Sequence, residues 1–161
     1  MITTCAMVLI NQEGDILACH GTGKPKNYGY DFPKGCVDDE NESHFEAACR
    51  ELKEETGLTI EQLELDGITV SEYIIDGGVY KHNHEKNIHL FLCPLKTFPN
   101  LETLECTTSF QTKEGKSLPE MDGYKIITKE ERNLFNKVLW NKFELIDALN
   151  SKVEYKNSKN V

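Results

Sequence analysis

The chain has 161 residues, enough to bury one substantial core as a single domain, and its 39% hydrophobic and 28% charged residues are ordinary for a globular protein. No apolar run approaches the roughly 20 residues needed to span a bilayer, and the N-terminus lacks a basic-then-apolar secretory pattern, so no membrane partner and a cytoplasmic location are expected. A net charge of -9 argues against a broad nucleic-acid-binding surface and for a small ligand.

From the N-terminus, Ile2 to Ile10 is a β-like apolar run, Asn11 to Asp15 with Gly14 is a turn, and Ile16, Leu17 and Ala18 resume the strand, which predicts a hairpin. Gly21 to Tyr30 reads as a loop carrying Lys24 and Lys26. Lys24, Lys26 and Lys34 are candidate phosphate contacts. Ordinary surface lysine is an equal alternative for Lys24 and Lys26, whereas Lys34 immediately precedes Gly35.

Ser43 with Glu46 three residues on is a capping box and predicts a helix start; Gly57 supplies the left-handed residue that commonly ends one. A helix from about Ser43 to Thr56 follows, with Phe45, Ala48, Cys49 and Leu52 as its apolar stripe. Residues on a helix advance by about 100°, so Glu51, Glu54 and Glu55 converge on one edge, with Ala47 leaving space beside them and Lys53 and Glu46 facing water. Like charges at this spacing cost roughly 0.2 to 0.5 kcal/mol per pair, with no structural return unless a cation binds. Magnesium, which takes oxygen ligands and keeps several waters, is the natural counterpart. A generic cluster of glutamates would instead be a solvated acidic face.

Beyond the helix, Ile60 to Ile75 is predicted as a strand closed by a turn at Asp76, Gly77 and Gly78, and Asn87 to Leu95 as another strand. His82, His84 and His89 read as loop or strand residues near a pocket rather than as a metal site. Thr103 to Phe110 is a weaker strand candidate, Gln111 to Ser117 a loop, and Tyr124 to Ile127 a short strand. Thr128 with Glu131 is a second capping box, after which Leu134, Phe135, Val138, Leu139, Phe143, Ile146 and Leu149 recur at helical spacing, as one long helix or two short ones. The domain is expected to cover 1–150 and a polar, frayed tail 151–161. Six cysteines without a paired C-x-x-C spacing read as small core residues, not zinc ligands or disulfides. Pattern alone supports a mixed α and β domain.

Arg50, Glu51, Leu52, Glu54, Glu55, Gly57 and Leu58, preceded by Gly35, closely resemble the signature of the Nudix hydrolases. The resemblance is strongest from Phe32 to Leu58. Against the family pattern, taking Glu42 as the first glutamate gives the loop one extra residue, whereas taking Glu40 puts the extra spacing further along. The resemblance implies an α/β fold, a Nudix-type α/β/α sandwich with a mixed β-sheet. It further implies a pyrophosphohydrolase in which the Gly35 carbonyl, Glu51 and Glu55, with Glu54 nearby, hold Mg2+, Mn2+ being an alternative. Arg50 would fix a glutamate, and Glu54, Glu51 or Glu120 would take the proton from water. Glu120 is similar in placement to a glutamate outside the signature that many members carry on a loop ahead of a later helix; an exposed loop glutamate is the competing reading.

The run Phe32, Pro33, Lys34, Gly35 is similar to that in dinucleoside polyphosphate hydrolases and RNA 5′-end pyrophosphohydrolases of the family. The favoured substrate is a small dinucleotide, a dinucleoside polyphosphate or an ADP-ribose-like nucleotide, because the acidic chain offers no extended cationic track. Tyr28, Tyr30, Tyr73, Tyr80 and Phe91 are candidate stacking surfaces, although aromatic residues are more often core. Two alternatives stand beside it. One is RNA 5′-end pyrophosphohydrolysis or decapping, including NAD-capped RNA. The other is a non-catalytic nucleotide-binding module, against which the intact set of Arg50, Glu51, Glu54 and Glu55 argues.

Overall fold

The computed structural model describes residues 2–65 and 68–155. In chain order the elements are β1 (Ile2–Ile10), β2 (Ile16–Gly21), β3 (Lys34–Cys36), α1 (His44–Thr56), β4 (Glu64–Leu65), β5 (Ile68–Thr69), β6 (Ile75–Lys81), β7 (Lys86–Pro94), β8 (Ser109–Gln111), β9 (Ser117–Pro119), β10 (Met121–Ile127) and α2 (Phe143–Asn150). The central sheet has the order β10-β2-β1-β7-β6, with β3 also paired to β1. Strands β1 and β7 are parallel and the other pairs antiparallel, so the sheet is mixed.

Strand β1 is buried on both faces, which is why its sequence is a continuous apolar run rather than an alternating one. Cys5, Met7 and Leu9 pack into one core with Phe91, Cys93 and the apolar stripe of α1, Ala48 and Leu52. Their neighbours Ala6, Val8 and Ile10 pack into a second core with Ile88, Leu90, Leu92, Phe135, Leu139 and, from α2, Phe143 and Ile146. Helical material on both sides of a mixed sheet is the α/β/α sandwich. The cysteines are free, and Cys5, Cys19 and Cys93 lie in the core.

Helix α1 forms as its sequence predicts. The Ser43 hydroxyl accepts from the Glu46 N–H at 3.1 Å, the Glu46 carboxylate accepts from the Ser43 N–H at 3.2 Å, and Gly57 closes the helix at φ 79°. Elsewhere the structure departs from expectation. Ile60 to Ile75 is not one strand: it holds the 3-10 turns Ile60–Gln62 and Val70–Glu72 around the short pair β4 and β5. Ile60 and Val70 are β-favouring residues, yet they are spent on covering the α1 core. Asp76 to Gly78 is not a turn but an irregularity inside β6, where the register with β7 shifts and Gly78 takes φ 92°. Thr103 to Phe110 supplies the end of the 3-10 turn Leu101–Thr103 and the start of β8, with irregular chain between.

The second capping box opens a 3-10 helix, Lys129–Leu134, and a second one, Lys137–Lys142, precedes α2. Phe135 at ψ 154° and Asn136 at ψ 137° interrupt the helical path, so the apolar stripe is core lining carried on three short pieces. Of the expected tail, Tyr155 donates to Asn150 Oδ1 at 2.6 Å; positions 156–161 lie outside the described residues. No helix among the described residues is long and apolar enough to cross a membrane.

Candidate active site

The site is built where α1 lies against β1 and β3. On β3, Gly35 pairs with Cys5 of β1, and the Glu51 side chain occupies the space in front of it. A Cβ at Gly35 would lie 2.1 Å from the Glu51 carboxyl carbon, so only glycine lets the carboxylate reach the strand.

Arg50 gathers the acidic groups. Its Nε and Nη2 donate to the two carboxylate oxygens of Glu42 at 2.8 and 3.1 Å, and Nη2 also donates to the Cys36 carbonyl at 2.8 Å. Nη1 donates to Glu51 Oε1 at 2.8 Å and to Glu54 Oε2 at 3.1 Å. Of the two glutamates weighed for the loop, Glu42, not the exposed Glu40, is the partner of Arg50. The Arg50 bonds hold the Glu42 carboxyl below its ordinary range, helped by the Asp38 N–H. The same carboxylates push the Arg50 guanidinium upward, so it stays charged.

Glu55 is 3% exposed, and its Oε1 has no hydrogen-bond partner. Burial, followed by the hydrogen bond and charge of Glu51, pushes its carboxyl well above the ordinary range, with Lys34 acting in the opposite direction. Glu54 is raised as well, first by burial and then by Glu51, with Arg50 opposing. Lys34 pairs with Asp31 at 2.9 Å; burial pulls its ammonium down, but the charge and hydrogen bond of Asp31 outweigh that and leave it raised.

The last turn of α1, which carries these glutamates, is capped by other segments. Glu54 O accepts from the Thr107 N–H at 2.7 Å and Glu55 O from the Tyr124 hydroxyl of β10 at 2.5 Å, while Thr56 O accepts from the Glu105 N–H at 3.1 Å. Carbonyls that a helix end leaves orphaned are thus satisfied, and the turn is held in place.

The predicted residues divide accordingly. Gly35, Arg50, Glu51 and Glu54 meet at one edge with Glu55 beside them, and Lys34 sits close enough to influence Glu55. Glu120 is exposed ahead of β10. Its backbone bonds to Thr108 and Thr22, and no side-chain hydrogen bond joins it to the helix carboxylates among the described residues. Lys24 lies over the Tyr28 ring at 4.8 Å, and Lys26 lines a separate cleft. Of the aromatic candidates, Phe91 is core and Tyr28 is exposed.

Sequence reasoning passed over the Tyr124 clamp and a polar chain on β6, β7 and α1. In that chain His44 Nδ1 lies 2.8 Å from His89 Nδ1, and His89 Nε2 lies 2.6 Å from Asp76 Oδ1. His89 was visible only as one of several histidines, since its partners are 45 and 13 positions away.

As they stand, Glu51 and Glu54 are turned to Arg50, and no three His, Cys, Asp or Glu groups among the described residues already surround one point. The donor set nevertheless fits a hard divalent ion: adjacent carboxylates, a strand carbonyl and a buried carboxylate oxygen lacking a partner.

A family model described as the NUDIX domain matches residues 2–122. The chain is 29% identical over 127 residues to an RNA pyrophosphohydrolase of Marinomonas sp., covering 76% of this chain and 72% of that protein. Among solved structures it is similar to a C. elegans Ap4A hydrolase binary complex, at TM-score 0.63 and 17% identity over 95% of this chain and 100% of the other. It is also similar to the NUDIX domain of Shewanella oneidensis NrtR complexed with ADP ribose, at TM-score 0.62 and 13% identity over 92% and 88% of the two chains.

Proposed function

The chain belongs to the NUDIX domain family, and from that premise we propose that it is a Mg2+-dependent pyrophosphohydrolase of a nucleoside diphosphate linked to another moiety. Small dinucleotides, dinucleoside polyphosphates or ADP-ribose-like compounds, are its favoured substrates. The observation that carries this reading is the meeting of Glu51, Glu54 and Arg50 in front of Gly35, with the buried Glu55 beside them.

Glu51, Glu54 and Glu55, with the Gly35 carbonyl, would hold the ion, which when bound neutralises phosphoryl charge and makes water a competent nucleophile. The chain's own groups do the remaining work. Arg50 keeps Glu42 ionised and orients Glu51 and Glu54, and Lys34, paired with Asp31 at 2.9 Å, opposes the rise of the Glu55 carboxyl. Of the candidate bases, Glu54 is favoured because its carboxylate stays partly open to solvent at the edge of the site, whereas Glu51 is fixed against Gly35 and Glu120 stands apart. Hydrolysis would yield a nucleoside phosphate and a second phosphorylated fragment.

A second reading, RNA 5′-end pyrophosphohydrolysis, is favoured by the similarity to the Marinomonas enzyme. A magnesium-dependent hydrolysis panel separates the two, with ADP-ribose, diadenosine tri- and tetraphosphates, NADH, nucleoside triphosphates and a 5′-triphosphorylated or NAD-capped short RNA. Preference for the small dinucleotides supports the first reading and preference for RNA the second. Nucleotide binding without any hydrolysis would overturn both.

A further inference from the structure

A cleft of about 230 Å3 lies between the loop that follows β2 and the 3-10 helices that precede α2; Lys26, Asn27, Tyr30, Asn133, Lys137 and Trp140 line it. None of its described lining residues is acidic, although the chain carries a net charge of -9. Its wall is built rather than incidental. Tyr30 N–H donates to Leu134 O at 2.9 Å, Asn136 N–H to Tyr30 O at 2.8 Å, and Asn136 Nδ2 to Tyr28 O at 2.9 Å. The two segments approach so closely that a Cβ on Gly29, at φ +88°, would lie 2.7 Å from Asn136 N.

Trp140 is 43% exposed, an unusual place for the largest apolar side chain. Its indole N–H donates to Phe135 O at 2.8 Å, which fixes the ring, and the Lys137 ammonium lies 5.9 Å from the ring centre. A fixed, partly exposed ring in a cleft that also holds Lys26, with the Lys137 ammonium over the ring, suits a flat π-system carrying a phosphate: a base stacks on the ring, and the phosphate meets the ammonium groups. The volume is below the roughly 300 to 1,000 Å3 of sites that enclose a drug-sized ligand, so the cleft grips part of one nucleotide unit, the rest open to solvent, and does not take a whole dinucleotide. Tyr30 precedes Gly35 by only five residues, at most about 18 Å of extended chain.

We propose that this cleft binds the nucleoside-monophosphate unit of a small dinucleotide, the part remote from the scissile anhydride, through Trp140, Lys26 and Lys137. The substrate assignment rests on the pyrophosphohydrolase reading; the binding of a nucleoside monophosphate does not.

Trp140 is the chain's single tryptophan and therefore its own reporter. AMP, which has no anhydride to cleave, is titrated in EDTA while Trp140 emission is followed. A saturable change is expected, with affinity weakened by about tenfold or more in the Lys26→Ala/Lys137→Ala double variant and KM for ADP-ribose raised in parallel. No change in emission, or an affinity indifferent to the double substitution, overturns the proposal. So does a short oligoribonucleotide binding about tenfold tighter than AMP, which would make the cleft a track for RNA. Hydrolysis by the unsubstituted protein is read separately. Hydrolysis without AMP binding sinks the cleft alone, and AMP binding without hydrolysis sinks the enzymatic reading alone.

Discussion

The Glu51 carboxylate stands where a side chain at position 35 would be, 2.1 Å from the Cβ that Gly35 lacks. The helix and the strand are therefore matched at one point, and the match sets a carboxylate against the strand backbone. The first prediction concerns that point. Gly35→Ala should fold, because the obstructing atoms are the far end of a flexible side chain, but Glu51 must swing aside. A displacement near 1 Å at a reacting centre costs about 100-fold in rate. Turnover should fall by that order with little change in melting temperature, and unchanged turnover would show that the contact has no functional role.

Arg50→Lys is a harsh substitution despite keeping the charge. A lysine cannot reproduce the fork on Glu42 while also holding Glu51, Glu54 and the Cys36 carbonyl. Because Arg50 is partly exposed, a cost of about 1–3 kcal/mol is expected in chemical denaturation, together with weaker ion binding. A variant as stable as the parent would contradict this view of Arg50.

Tyr124→Phe removes the hydroxyl that Glu55 O accepts and nothing else. A loss of about 1 kcal/mol is expected from denaturant unfolding. Because the carbonyl belongs to the residue whose buried carboxylate oxygen Oε1 lacks a partner, the magnesium dependence of turnover should shift to higher concentration. A shift in stability alone would limit Tyr124 to a structural role.

The raised carboxyl of Glu55 has a definite pH signature. The folded chain keeps this proton to higher pH than the unfolded chain does. Its contribution to stability is therefore full below the unfolded carboxylate range and is lost as pH rises from there toward the folded value. In EDTA, the melting temperature of the parent should fall between about pH 5 and 8 more steeply than that of Glu55→Gln, which carries no charge. Parallel profiles would mean that Glu55 is not held protonated.

Much of this was legible locally. The Ser43 and Glu46 cap, the left-handed Gly57 and the spacing of Glu51, Glu54 and Glu55 are all decided within a few residues, so α1 and its acidic edge can be read directly. What was not legible depends on distant partners. Ile60 and Val70 satisfy a β-favouring pattern without forming a long strand, because burial against α1 rewards the same side chains. Gly77 and Gly78 read as a turn but serve an irregular edge strand. The choice of Glu42 over Glu40, the Tyr124 clamp and the His44–His89–Asp76 chain all needed the sheet to be assembled first.

The most direct test is steady-state hydrolysis of ADP-ribose and diadenosine tetraphosphate with magnesium, comparing the parent with Glu54→Gln and Glu55→Gln. Folding of all three is checked by thermal melting. The expected result is folded variants whose turnover is reduced by about 100- to 10,000-fold. Normal turnover in both variants, with unchanged magnesium dependence, would contradict the assignment of the site to these glutamates.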